Sequence, residues 1–168
     1  MAKIVIVGDG ETAELAYEYF THDSPHEVVA FSVEREYAKK EQLFGLPVVF
    51  FEDLQSLFAP AEHSAFVAIS YTKLNRVRAR LYQETKSKGY ELVSYVSSKA
   101  FVWHNVEVGE NCFLGVNSTI VNNVKIGRDC WLGPDVTIVR DAPEATFFKP
   151  GKGETSSVNT LERFKLNG

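Results

Sequence analysis

The sequence predicts an α/β unit followed by a short parallel β-helix. Branched aliphatics recur every six residues at Val96, Val102, Val108, Leu114, Ile120, Ile126, Leu132 and Ile138, with no slip in register. Four residues after each stands a small or medium side chain: Ala100, Val106, Cys112, Ser118, Val124, Cys130, Val136 or Ala142. Ahead of this stretch, apolar β-branched runs alternate with segments of helical spacing. A period of six fits neither a helix at about 3.6 nor a lone strand at about 2, so it calls for a repeat architecture. Each hexapeptide supplies one short strand and one turn, three make a coil, and the aliphatics stack inward. Turns such as Gly109-Glu110-Asn111, Gly127-Arg128-Asp129 and Gly133-Pro134-Asp135 carry the residues that bend a backbone at low cost. Eight hexapeptides give about two and two-thirds coils.

The elements before the repeat read as follows. Lys-Ile-Val-Ile-Val-Gly at 3–8 is a short apolar run ending in glycine, as a buried parallel strand does. Gly8-Asp9-Gly10 turns the chain. Residues 11–20 then place Leu15, Ala16, Tyr19 and Phe20 on one helical face. A second strand falls at 28–33, a third and shorter one at 46–50, and a brief helix at 53–58 with Leu54, Leu57 and Phe58 apolar. Residues 65–70 are another buried strand. From 74 to about 88, Leu74, Val77, Leu81 and Tyr82 recur at helical spacing among Arg and Lys, and 91–95 closes the series. That order implies a small parallel sheet, with a boundary near 95–97. After Pro150 the tail is polar, although Val158, Leu161 and Phe164 allow a last short helix.

Bulk composition narrows the function. A chain of 168 residues can bury a real core. A net charge of -4 and a pI near 5.6 argue against a nucleic-acid partner. Cys112 and Cys130 lie 18 residues apart, one coil, so they stack inside the prism; two reduced core thiols are expected, although a bridge is sterically conceivable. No signal peptide or membrane span is expected, which makes a cytoplasmic protein the default. There is no His/Cys set with metal-ligand spacing, no GxSxG and no Walker motif, so no metal is expected.

Three places carry candidate chemistry. Gly8-x-Gly10 after the first strand, opening a helix, presents backbone N–H groups and a helix dipole to a phosphate, or is simply a tight turn. The third glycine of the dinucleotide fingerprint is replaced by Ala13, and Glu34 near the end of the second strand is a poor stand-in for a ribose-binding acid. The crevice beyond the strand ends also collects Ser70-Tyr71 and Asn75-Arg76. Arg76 either pairs bidentately with a phosphate or sits on a solvated basic face with Arg78 and Arg80. Among the histidines, His22, His26 and His63 fall in polar loops. His104 sits at a coil corner in column with Asn122 and Arg140, either as a general base or as a surface residue.

Taken together, Lys3-Ile-Val-Ile-Val-Gly-Asp-Gly, Ile69-Ser-Tyr-Thr-Lys-Leu-Asn-Arg, Val-Ser-Ser-Lys-Ala and the hexapeptides resemble the sialic-acid and bacillosamine-type nucleotide-sugar acetyltransferases over nearly the full length. The resemblance implies a Rossmann-like N-terminal domain (1–95), a left-handed β-helix of about two to three coils (96–149) and a C-terminal tail (150–168). It implies a homotrimer that moves acetyl from acetyl-CoA to an amino or hydroxyl group of a nucleotide-linked sugar, in surface-polysaccharide or glycan biosynthesis. The nucleotide sugar would be held by Gly8, Asp9, Gly10, Ser32, Ser70, Tyr71, Asn75 and Arg76. Acetyl-CoA would lie along the later coils at Gly115, Asn122, Gly133 and Lys152, with His104 as the base.

The chain departs from that family in length. Asn-Cys-Phe-Leu-Gly (111–115) passes directly to Val-Asn-Ser-Thr-Ile (116–120), where similar proteins carry extra coils, and the hexapeptide closest to theirs with histidine holds Asn122. A second reading is therefore a catalytically silent, coil-deleted member acting as a trimeric nucleotide-sugar-binding or scaffold protein. A short prism has open edges, so 141–164 is expected to fold over one of them or over a neighbour. Trp103, Phe113 and Trp131 are expected on the outer face, at a subunit interface.

Overall fold

In the computed structural model of the chain, residues 1–70 and 76–148 are described, together with the backbone of Val158–Asn159. The chain divides into two compact units, Met1–Val93 and Ser94–Gly168.

The first unit is a sheet of β1 (Lys3–Val7), β2 (Glu27–Val33), β3 (Gln42–Leu43), β4 (Leu46–Phe50) and β5 (Ser64–Val67) in the order β3-β4-β2-β1-β5. All pairs are parallel except β3 with β4. Central β1 is buried from Ile4 to Val7 because both of its faces are covered, which is why it reads as continuous hydrophobe rather than as an alternation. Helices α1 (Glu11–Asp23), α2 (Leu54–Leu57) and α3 (Arg76–Ser87) complete the unit. Residues 91–93 add one parallel bridge, Leu92 to Ala65, where a whole strand had been expected. In α1 the buried positions are Ala13, Ala16 and Phe20. Leu15, expected on that face, is 43% exposed, because the sheet meets the face one residue round the helix.

Two backbone positions here are special. Gly8 has φ +127°, and a Cβ there would sit 2.6 Å from the Ala68 carbonyl oxygen, so only glycine fits between β1 and the chain after β5. Phe44 and Gly45 join β3 to β4 with positive φ at both positions. A bulky residue in that region is strained, and the Phe44 ring recovers contact by stacking on Tyr17 at 4.4 Å.

The second unit is the parallel β-helix. Its rungs are β6 (Tyr95–Val96), β7 (Phe101–Val102), β8 (Glu107–Val108), β9 (Phe113–Leu114), β10 (Thr119–Ile120), β11 (Lys125–Ile126), β12 (Trp131–Leu132), β13 (Thr137–Ile138) and β14 (Thr146–Phe148). They form three parallel faces, β6-β9-β12-β14, β7-β10-β13 and β8-β11. Within the prism, Leu114, Ile120, Ile126, Leu132 and Ile138 pack with Cys112, Val124, Cys130 and Val136, the two sets of positions marked by the sequence period. Corners fall three residues after Val108, Leu114, Ile120, Ile126 and Leu132, at Asn111, Asn117, Asn123, Asp129 and Asp135, all with positive φ. Asn and Asp tolerate that conformation because their short polar side chains bond locally. Gly109, Gly115 and Gly127 lie where a Cβ would come within 2.7 Å of the next rung's backbone.

The period does not run through to Ala142 as expected. Ala142 bridges Ile126, sixteen positions on rather than eighteen, so the turn after Ile138 is two residues short. The shifted register then continues. Ala145, three after Ala142, takes the corner conformation at φ 55°, and Phe147-Phe148 pair with Trp131-Leu132. At the short turn the Asp141 carboxylate accepts the Lys125 N–H, a bond that one coil earlier goes from Glu107 to the Val124 carbonyl. The prism therefore has three coils and one rung of a fourth, more than the period alone counted.

Past β14, the strand β15 (Val158–Asn159) pairs antiparallel with it and covers its open edge. Val158 is thus in a strand, not in the expected helix; Leu161 and Phe164 lie outside the described residues. Of the three aromatics expected on the outer face, only Trp103 is exposed, at 44%. Phe113 and Trp131 are buried and stack at 4.0 Å with planes 5° apart, and Tyr95 continues the column at 4.8 Å. Rungs repeat at nearly the stacking distance of aromatic rings, so each ring covers a face of the next. Cys112 and Cys130 are buried thiols. Their thiols donate to the carbonyls of Gly127 and Pro143, and the neighbouring Cys130 thiol together with burial pushes the Cys112 thiol far up.

Candidate functional site

A cavity of about 410 Å³ lies beyond the C-terminal ends of β1, β2 and β5, where open α/β sheets hold their ligands. The chemistry of its wall is set by a few side chains. Gly8-Asp9-Gly10 contributes the turn, and Gly10 caps α1 with extended backbone and no side-chain hydrogen bond. A Cβ on Gly10 would meet no atom within 4 Å, so this glycine leaves space open rather than relieving strain. Ala13 is fully buried, so alanine serves for close helix packing where the fingerprint has glycine. The Ser32 hydroxyl is fully buried, lines the cavity and has no hydrogen-bond partner among the described residues. A buried hydroxyl in that state costs about 1–3 kcal/mol, so the site is complete only when something polar meets it.

The lining also carries charge. Glu34 and Arg80 both line the cavity, and the guanidinium holds the carboxylate with both nitrogens, Nη1 to Oε1 at 2.8 Å and Nη2 to Oε2 at 2.9 Å. Arg80 also reaches Glu84 at 3.0 Å, and these two acids push its pKa above its ordinary value. Outside the wall, Lys40 Nζ donates to the Asp9 carbonyl at 3.0 Å and pairs with Glu14, placing a cation beside the turn.

Of the residues expected to hold a nucleotide sugar, the structure brings Gly8, Asp9, Gly10, Ser32 and Ser70 into one wall. Tyr71 and Asn75 lie outside the described residues. Arg76 is exposed and does not line the cavity; Arg80, one turn further along α3, does. Arg78 is buried, so it belongs to no solvated basic face. Sequence reasoning missed Tyr37, placed Arg80 only on a solvated basic face, and set Glu34 aside. The i, i+4 relation of Arg76 to Arg80 was the available signal, but helix phase near an uncertain start decides which of the two faces inward.

On the β-helix, His104 is exposed, its ring 5.3 Å from that of Trp103, with no hydrogen bond among the described residues. Asn122 lines a shallow surface recess with Phe101, Trp103, Asn105 and Val121. The neighbouring corner stacks as the register requires, Asn105 Nδ2 donating to Asn123 Oδ1 at 2.7 Å. Gly115 and Gly133 each donate their N–H to the rung above, at Leu132 and Phe148. Their backbone donors are therefore already committed to the ladder. Lys152 lies outside the described residues.

Among solved structures, the chain is similar to a histidine-to-alanine mutant of GDP-perosamine N-acetyltransferase from Caulobacter crescentus in complex with CoA and GDP-perosamine. The TM-score is 0.56 at 21% identity, covering 88% of this chain and 93% of that one. It is similar to the acetyltransferase domain of PglB from Neisseria gonorrhoeae, with TM-score 0.55, 15% identity and coverage of 92% and 100%. WeeI from Acinetobacter baumannii matches at TM-score 0.56 and 22% identity over 82% of this chain and 69% of that one. No protein-family pattern matches the sequence, and no curated protein matches it. Likeness at these identities establishes a shared fold. No helix among the described residues is long and apolar enough to cross a membrane.

Proposed function

We propose that the protein transfers acetyl from acetyl-CoA to an amino or hydroxyl group of a nucleotide-linked sugar. The observation that carries this reading is the cavity at the end of β1. A Ser32 hydroxyl with no partner among the described residues, the start of α1 and an open Gly10 converge there, in a fold shared with sugar acetyltransferases that hold CoA and a nucleotide sugar. The nucleotide sugar would bind at Gly8, Asp9, Gly10, Ser32 and Ser70, with Tyr71, Asn75 and Arg76 nearby in sequence. Acetyl-CoA would lie along a left-handed β-helix at Gly115, Asn122, Gly133 and Lys152, in a cytoplasmic homotrimer with exposed Phe101 and Trp103 at the contact.

In that reaction the sugar amine or hydroxyl attacks the thioester carbonyl, forming a C–N or a C–O bond respectively as the C–S bond breaks and CoA leaves as thiolate. His104 takes the proton of the attacking group and returns it to the thiolate. The N–H groups of Gly115 and Gly133 are committed to the ladder, so oxyanion stabilisation falls to another donor.

A second reading, nucleotide-sugar binding without turnover, is favoured by one observation: His104 is exposed and no acid orients its ring among the described residues. Calorimetry with acetyl-CoA and with UDP-, GDP- and dTDP-sugars separates the two. Binding of both substrates with turnover supports the transferase. Sugar-nucleotide binding with no acetyl-CoA binding supports the silent form, and no binding of either sinks both.

A further inference from the structure

The glycine turn contains one peptide that its neighbours leave free to face either way. The Gly8 N–H is committed to the Ser32 carbonyl at 2.8 Å, and the Gly10 carbonyl to the Glu14 N–H at 3.0 Å. Between them lies the peptide joining Asp9 to Gly10. Neither its carbonyl nor its N–H makes a backbone hydrogen bond among the described residues. A half-turn of this peptide carries the Gly10 φ from -93° to the left-handed side, which glycine adopts at little cost and other residues resist. Both orientations are therefore open to the backbone, and something else must choose.

Lys40 makes that choice. Its Nζ donates to the Asp9 carbonyl at 3.0 Å from 31 positions along the chain, and the Glu14 carboxylate holds the same ammonium at 3.4 Å. Beside it, the Glu41 carbonyl accepts the Val48 N–H at 2.9 Å, so β4 fixes the segment that delivers Lys40. In a trans peptide the C=O and N–H bonds point in opposite directions. Asp9 and Gly10 line the cavity and Lys40 does not. Drawing the carbonyl toward Lys40 therefore turns the Gly10 N–H toward the cavity, which the buried Ser32 hydroxyl, without a partner among the described residues, also lines. The reversed peptide would present a carbonyl oxygen there instead and repel an anion.

Resting on the nucleotide-sugar reading above, we infer that Lys40 is a positioning residue, which orients the Asp9-Gly10 peptide so that its N–H and not its oxygen meets the diphosphate of the ligand. It acts from outside the cavity, through the backbone, without touching the ligand. Apparent affinity then scales with the fraction of molecules whose peptide already faces the competent way.

The test is calorimetry on the full chain with UDP, GDP and dTDP, at about 0.1 M and about 1 M sodium chloride, the higher salt screening any attraction at a distance. Lys40→Met, which keeps the length of the side chain and removes the donor, should weaken whichever nucleotide the wild type binds by about fivefold or more at both salt concentrations. Lys40→Arg, which can still donate to a carbonyl, should recover most of that loss. The thermal midpoint of Lys40→Met should stay near that of the wild type, because the ion pair with Glu14 is exposed. A fivefold loss leaves the competent orientation in about a fifth of the molecules, so a crystal structure of ligand-free Lys40→Met should show the Asp9 carbonyl turned into the cavity. Equal affinities of wild type and Lys40→Met overturn the inference. So does a loss that disappears at high salt, which would make Lys40 a distant charge, and so does a weakened variant whose Asp9-Gly10 peptide has not moved. Each of these leaves the nucleotide-sugar reading standing. No binding of any of the three nucleotides by the wild type at millimolar concentration overturns both.

Discussion

Ala145 is a corner residue in a left-handed backbone conformation, at φ 55°, in the place where the preceding coils put Asn111 and Asp129. Those two are joined across the rung by an amide-to-carboxylate hydrogen bond of 2.8 Å in a buried setting, and alanine ends that ladder. Replacing Ala145 with Asn is expected to raise stability by about 0.5–1 kcal/mol, since it relieves the backbone penalty; a denaturant midpoint that does not move would refute this. Gly8→Ala is the opposite case. Its φ of +127° and the 2.6 Å approach to the Ala68 oxygen should cost at least about 1–3 kcal/mol and lower the thermal midpoint. Gly10→Ala should leave stability nearly unchanged, because that Cβ meets open space. Gly10→Trp, which fills the cavity, should lose nucleotide binding while the fold persists.

Among the elements, β1 is tied at its start to the chain before β2. The Ala2 N–H donates to His26 Nδ1 at 3.2 Å, and Glu27 N–H returns to the Ala2 carbonyl. Burial first, and the nearby N-terminal charge second, lower the His26 pKa from 6.5. The unfolded chain then binds the proton more readily than the folded one. The contribution is fully present above pH 6.5 and is lost as pH falls from there toward the lower folded value. Urea midpoints of the wild type should drop between pH 7.5 and 5.5 by more than those of His26→Asn; equal drops would remove His26 from the account. In the β-helix, Leu132 is fully buried between rungs. Leu132→Ala should cost about 2–5 kcal/mol, read from the same denaturant curves.

For the molecule as a whole, the open question is whether the β-helix is catalytic. His104→Ala should remove most acetyl transfer without altering the sedimentation coefficient, and unchanged turnover would take the base elsewhere. Sedimentation at micromolar concentration is expected to show a trimer, with Trp103→Glu shifting it toward monomer. A wild-type monomer would discard that assembly. The buried Cys112 and Cys130 should resist alkylation by iodoacetamide until the protein unfolds, since the reagent reaches neither and the Cys112 thiol, pushed far up, yields almost no thiolate.

Periodicity alone determined the β-helix and its inward residues, because a coil of eighteen residues forces each aliphatic over another of its kind. It likewise placed β1, β2, β4 and the glycine turn, since strands covered on both faces must be apolar throughout. The shortened turn at Asp141 lay beyond periodicity, because a two-residue slip is a choice between registers that only the contacts of Ala142 with Ile126 resolve. The same holds for the cavity. Local pattern marked Arg76 and Arg80 equally as basic positions on one helix, and the ion pair with Glu34, 46 positions away in the chain, drew Arg80 into the wall. Sequence determined which residues are buried together along a strand or rung, where spacing is fixed by backbone geometry. Tertiary structure decided which charged side chains meet, because that depends on how separate elements pack.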